Sequence, residues 1–133
     1  MSTGIAVKPL AGQFAPPEVL ERISQLTRSQ VDGFDFGFVK VDDTGKILLY
    51  NRYEGEMGGN NAAICEGKNF FTEVAPCTNN ALFFGQFKKG IAAGNLNMLF
   101  PYTFTYKLKP TNVKVQMFRD PETKTNVVLV KTT

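Results

Sequence analysis

Three side chains are of types from which a site can be built. Cys77 lies in Val74-Ala75-Pro76-Cys77-Thr78. Pro76 stiffens the approach, and a helical turn beginning there would aim backbone N–H groups at the sulfur, lower its pKa and favour attack on an acyl donor. The same stretch fits a buried, inert thiol, the reading that composition alone favours. Tyr50 and Glu54 form the second constellation, in Tyr50-Asn51-Arg52-Tyr53-Glu54. If the chain turns helical after Tyr50, the two share one face at i and i+4, and both can hydrogen-bond a single oxygen, as a phenol site requires. An exposed carboxylate beside a partly buried tyrosine fits that spacing as well. Cys65, the other cysteine, has no activating surroundings and reads as a buried thiol.

Composition excludes much other chemistry. The 133 residues contain no histidine, which removes Ser-His-Asp and Cys-His catalysis, histidine metal sites and histidine pH switching together. Two cysteines alone make neither a four-ligand zinc site nor a disulfide framework. The stretch Gly55-Glu56-Met57-Gly58-Gly59 lacks the order of a dinucleotide-binding loop and the P-loop lysine, so phosphate binding is discarded. With 15 Lys+Arg against 12 Asp+Glu, the formal charge of +3 is spread along the sequence, with no nucleic-acid arm and no polybasic membrane segment. Met1–Pro17 carries one lysine and no sustained apolar run, unlike a signal peptide or a transmembrane span. A cytoplasmic monomer with no nucleic-acid or membrane partner is expected.

These residues need a scaffold, and the length predicts one domain whose 43% apolar content suffices for a single core. After Pro16-Pro17, Val19, Ile23 and Leu26 fall at i, i+4 and i+7, with Glu18 and Glu21 early and Arg28 late. That pattern predicts a short amphipathic helix, separable as a cap because one helix of this size cannot hold itself together. From Phe34 the period becomes two: Phe34, Phe36 and Phe38 share one face of a strand, Val39 and Val41 the other. Asp42-Asp43-Thr44-Gly45 is a turn and Ile47–Tyr50 a returning strand. Residues 51–80, rich in Gly and Asn, read as short helical turns and loops. A clearer helix is expected from Asn79 or Asn80, with Phe83, Phe84, Phe87 and Ile91 on one side and Gly94 as its C-cap. Phe100, Tyr102, Phe104, Tyr106 and Leu108 then alternate with Pro101, Thr103, Thr105 and Lys107 in a long strand, whose Pro101 points to an edge or a bulge. Val113, Val115 and Met117 predict the next strand, residues 120–126 a loop and Val127–Val130 the last strand. The order describes an α+β domain with an antiparallel sheet.

Several of these stretches, in order and with matching spacing, resemble the photoactive yellow protein family. They are Tyr50-Asn51, Glu54-Gly55, Gly67-Lys68-Asn69-Phe70-Phe71, Val74-Ala75-Pro76-Cys77-Thr78, Gly94-Asn95-Leu96-Asn97 and Tyr102-Thr103-Phe104. The likeness runs from about Val31 to the C-terminus and is strongest from Tyr50 to Tyr106. It implies a PAS fold over residues 1–133: a central antiparallel sheet of about five strands, helices on one side, and residues 1–30 as a helical cap across the other. It implies further a 4-hydroxycinnamoyl group, from p-coumaric acid, in thioester linkage to Cys77. Tyr50 and Glu54 would hydrogen-bond its phenolate oxygen, the Cys77 N–H would hold its thioester carbonyl, and Phe70, Val74, Phe104 and Tyr102 would form walls.

The implied function is blue-light reception rather than catalysis. A carboxyl in a closed apolar pocket resists ionisation, so Glu54 would stay protonated at neutral pH and act as a donor. Light would isomerise the vinyl bond from trans to cis, and the phenolate would take the Glu54 proton. An unpaired buried carboxylate costs several kcal/mol, a large part of a domain's ~5–15 kcal/mol of stability. Local unfolding of the cap would relieve it and signal to an unidentified downstream protein before recovery in the dark.

Three positions depart from the family pattern. Gly58 stands where a threonine supports the phenolate-binding tyrosine, which predicts a weaker network and a fraction of protonated, blue-shifted chromophore in the dark. Asn60 replaces an arginine that shields the pocket, leaving it more open unless Arg52 swings across. Leu108 replaces a methionine linked to rapid thermal re-isomerisation, which predicts slow recovery. Two other readings remain at this level: a chromophore-free PAS module for ligand binding or protein interaction, and an acyl-transfer enzyme using Cys77, which lacks a histidine base.

Overall fold

In the computed structural model, which describes residues 12–105 and 110–133, the strands are β1 (Gly37–Val41), β2 (Ile47–Tyr50), β3 (Asn97–Phe104), β4 (Thr111–Asp120) and β5 (Thr125–Thr132). They pair antiparallel throughout, in the order β2-β1-β5-β4-β3. Successive strand residues point to opposite faces, and here both faces are apolar, so both must be covered. On one face Val39, Val41, Val113, Val115, Met117, Val128 and Val130 pack with Tyr50, Phe70, Phe71, Phe83 and Phe87. On the other, Phe36, Phe38, Phe118, Val127 and Leu129 meet Ala15, Val19, Leu20, Ile23 and Val31 of the N-terminal segment. The expected division of Phe36 and Phe38 from Val39 and Val41 is observed.

The N-terminal segment corrects the expectation of a single helix through Val19, Ile23 and Leu26. It forms α1 (Pro17–Glu21), a 3-10 turn at Ile23–Gln25 and α2 (Arg28–Asp32), with Arg22 leaving the helical conformation at φ −126°. Pieces this short do not propagate by themselves, so tertiary burial of Val19, Leu20 and Ile23 decides where each turn ends. A capping box begins α2: the Thr27 hydroxyl accepts from the Gln30 N–H while the Gln30 side chain accepts from the Thr27 N–H.

Between β2 and β3 lie α3 (Arg52–Gly58), α4 (Ala62–Cys65), a π turn at Phe70–Val74, a 3-10 turn at Pro76–Thr78 and α5 (Phe84–Ala93). Several asparagines of this stretch are helix starts. Asn51, Asn61 and Asn69 each accept a backbone N–H at the head of the next element. Asn80 accepts from the Leu82 and Phe83 N–H groups just before α5, and Gly94, at φ 74°, ends that helix as expected. Pro101 sits on β3, an edge strand. The predicted loop at 120–126 is shorter than expected. β4 reaches Asp120 and β5 begins at Thr125, because the Asp120 carboxylate accepts from the Glu122 N–H and the Thr123 hydroxyl and closes a tight turn. Tyr106 and Leu108, expected to continue β3, lie outside the described residues.

Candidate functional site

Tyr50 ends β2 and Asn51 caps α3, which places Glu54 in the first turn of that helix. Both Tyr50 and Glu54 are 0% exposed. The Tyr50 hydroxyl donates to the Glu54 backbone carbonyl at 3.4 Å, a long bond. Among the described residues neither oxygen of the Glu54 carboxyl has a hydrogen-bond partner, and burial pushes its pKa up to about 8. Burial thus favours the neutral form, which keeps an O–H to donate. Gly37 of β1 makes room for it: a Cβ there would stand 2.1 Å from Glu54 Oε1.

Asn51 fixes this arrangement. Fully buried, its Oδ1 accepts from the Phe38 N–H at 2.9 Å and the Glu54 N–H at 3.1 Å. Its Nδ2 donates to Val31 O at 2.8 Å and Phe36 O at 3.0 Å. One amide thus joins α2, β1 and α3.

Cys77 is half-buried in the turn that starts at Pro76 and is not in a disulfide. Its carbonyl accepts from the Tyr102 hydroxyl at 2.5 Å and from Asn80 Nδ2 at 3.1 Å, while the Thr78 hydroxyl donates to Ala75 O at 2.6 Å. Phe70, Val74 and Phe104 belong with Tyr50 to the core cluster against which Cys77 and the half-buried Tyr102 pack. Phe83 completes the aromatic group, its ring 5.0 Å from Tyr102 and 6.3 Å from Phe104. Cys65 is buried in the same core, as the inert-thiol reading expected.

Gly58 is buried at the end of α3. Arg52 and Asn60 line a surface groove of about 270 Å³ with Asp32 and Asn51, and Arg52 is exposed there. Leu108 lies outside the described residues. Sequence reasoning assigned no role to Asn51, Gly37 or Glu66. Asn51 has a visible signal, a capping residue three positions before a glutamate. Gly37, a lone glycine among strand residues, marks a close approach. Among the described residues no helix is long and apolar enough to cross a membrane, and no cluster of three or more His, Cys, Asp or Glu could hold a metal ion.

A five-stranded antiparallel sheet with short helices over one face and an N-terminal segment over the other defines a PAS domain. The PAS domain of an HTR-like protein from Haloarcula marismortui shares this fold with a TM-score of 0.59 at 11% identity, over 80% of this chain and 93% of that one. No protein-family model matches the chain. The photoactive yellow protein of Rhodothalassium salexigens is 41% identical over 107 residues, 80% of this chain and 86% of that protein. The photoactive yellow protein domain of the sensor histidine kinase Ppr from Rhodospirillum centenum superposes with a TM-score of 0.78 at 33% identity, covering 82% of this chain and 96% of that one. The chain belongs to the photoactive yellow protein family.

Proposed function

We propose that the chain is a blue-light photoreceptor, not an enzyme, carrying a 4-hydroxycinnamoyl group from p-coumaric acid in thioester linkage to Cys77. The observation that carries this reading is the Glu54 carboxyl, fully buried with no hydrogen-bond partner among the described residues, on the residue whose backbone carbonyl the Tyr50 hydroxyl reaches. A neutral carboxyl keeps an O–H to donate, and a phenolate oxygen placed beside it would accept that proton's hydrogen bond and one from the Tyr50 hydroxyl. The residues therefore fit the group: Tyr50 and Glu54 at its phenol end, Cys77 at its acyl end, and Phe70, Val74, Phe104 and Tyr102 between. When bound, the group supplies a conjugated double bond that absorbs blue light and isomerises.

The chain's own residues supply the rest. Burial keeps the proton on Glu54 in the dark. Once Glu54 has given up that proton, its carboxylate stands buried with no donor on either oxygen among the described residues, a state several kcal/mol uphill. The strain falls on α3, which Asn51 ties to Val31 of α2, so release of the N-terminal cap, residues 1–30 of a single PAS domain, is the relief. The exposed face would meet a signalling protein, as the kinase context of the Rhodospirillum domain suggests. Cytoplasmic location and a monomeric state complete the reading.

Gly58 offers Tyr50 no hydroxyl, so part of the dark protein should absorb to the blue, and Leu108 should make recovery slow. Absorption after reaction with an activated p-coumaric acid derivative, with Cys77→Ala as control, tests the proposal. A visible band that bleaches under a blue flash and returns, absent from the variant, is expected. A free Cys77 thiol that yields no band rejects this reading for a chromophore-free PAS module, and repeated turnover of the acyl donor rejects it for an acyl-transfer enzyme.

A further inference from the structure

β2 lies at the edge of the sheet, so the N–H groups on its outer side need acceptors outside the ladder. The chain after α4 runs alongside and bonds there by its backbone: the Ile47 N–H donates to Lys68 O at 2.8 Å, and the Gly67 N–H donates to Ile47 O at 2.9 Å. At Tyr50 a side chain takes over. Glu66 Oε2 accepts from the Tyr50 N–H at 3.0 Å. The same carboxylate is held by Arg28 of α2, whose Nη2 is 2.6 Å from both of its oxygens. A pair between two surface side chains ordinarily contributes little. This one closes a backbone N–H at the rim of the buried site.

We propose that Glu66 is a positioning residue for Tyr50, and that Arg28 fixes Glu66 so that α2 and the tyrosine share one carboxylate. Three consecutive residues are tied to α2: Tyr50 through Glu66 and Arg28, Asn51 by its 2.8 Å bond to Val31 O, and Arg52 by its N–H on Asp32 Oδ1 at 2.8 Å. Of these, the Tyr50 link runs through an ion pair at the surface, side chains 48% and 25% exposed, and can be opened without disturbing the buried amide network. A displacement of the cap then reaches the Tyr50 backbone, and a displacement of Tyr50 reaches the cap.

The test has one readout independent of the proposed function and one that rests on it. Amide hydrogen exchange is measured on the full chromophore-free chain for wild type, Glu66→Ala, Glu66→Gln and Arg28→Gln. The absorption maximum of each is then measured after reaction with the activated p-coumaric acid derivative. Glu66→Ala should speed exchange at the Tyr50 amide about tenfold and move the band to the blue. Glu66→Gln keeps an acceptor and should preserve both, while it and Arg28→Gln speed exchange in α2 about threefold. A Tyr50 amide as protected in Glu66→Ala as in wild type overturns the proposal, as does failure of Glu66→Gln to preserve it. If Glu66→Ala does not fold, the two glutamine variants decide, and unchanged α2 exchange in both overturns it. A wild-type chain that forms no band refutes the photoreceptor reading and leaves the exchange result to judge Glu66.

Discussion

Glu54 is an acid whose ionisation and the fold oppose one another. Burial raises its pKa from 4.5 to about 8, so between those values the folded chain holds a proton that the unfolded chain has released. The contribution of this group is full below the lower value and is lost as pH rises through the upper one. Chromophore-free protein should lose roughly 3–5 kcal/mol across that window, measured by urea unfolding at stepped pH. Glu54→Gln should flatten the slope there; an unchanged slope would assign it to another group. Gly37 carries a linked prediction. A methyl at 2.1 Å from Oε1 cannot coexist with the carboxyl where it stands. Gly37→Ala should therefore destabilise by about 1–3 kcal/mol and, by pushing the carboxyl toward water, reduce the same pH dependence.

At the scale of elements, the junction of β2 and α3 matters most, because Tyr50 and Glu54 reach the site from opposite sides of one capping residue. Asn51→Ala would leave the Phe38 N–H and the Val31 and Phe36 carbonyls without their side-chain partner and remove the cap of α3. A loss of roughly 2–4 kcal/mol is expected, read from urea midpoints. Asn51→Asp keeps the acceptor but not the donors and should fall between wild type and the alanine variant. The second support, the turn at Pro76–Thr78, is held by Tyr102 from an edge strand. Tyr102→Phe removes the 2.5 Å bond to the Cys77 carbonyl and should increase the reactivity of the Cys77 thiol toward a disulfide reagent, measured by its labelling rate.

For the whole molecule, the two covered faces of the sheet set what each segment can do. The buried site lies with the larger core, and the N-terminal segment closes the other face over Phe36, Phe38 and Leu129. Deleting residues 1–25 removes Val19, Leu20 and Ile23, a loss of roughly 4–8 kcal/mol. Set against a domain's ~5–15 kcal/mol, that leaves a chain that folds marginally. It should bind a hydrophobic dye and unfold at much lower urea; a truncated chain as stable as the full one would show that the cap contributes nothing to the fold. Because the cap is worth so large a share, its attachment and the state of Glu54 are of comparable size, which is the condition for one to answer the other.

The faces of β1, the Asp42–Gly45 turn, the end of α5 at Gly94 and the edge position of Pro101 follow from the amino-acid order alone. Each is a local pattern in which residues two to four apart meet the same surroundings. Cys77, Tyr50 and Glu54 could also be singled out by type and spacing. The breaks at residues 17–32 and the short turn after Asp120 could not, because elements of a few residues end where packing rather than propensity stops them. Nor could the full burial of Glu54, its close approach to Gly37, or the bonds of Glu66, which lies 16 residues from Tyr50 and 38 from Arg28. Those meetings exist only once the strands have found their register and the chain after α4 has closed the edge of β2, and that register is fixed by burial summed over the whole sheet.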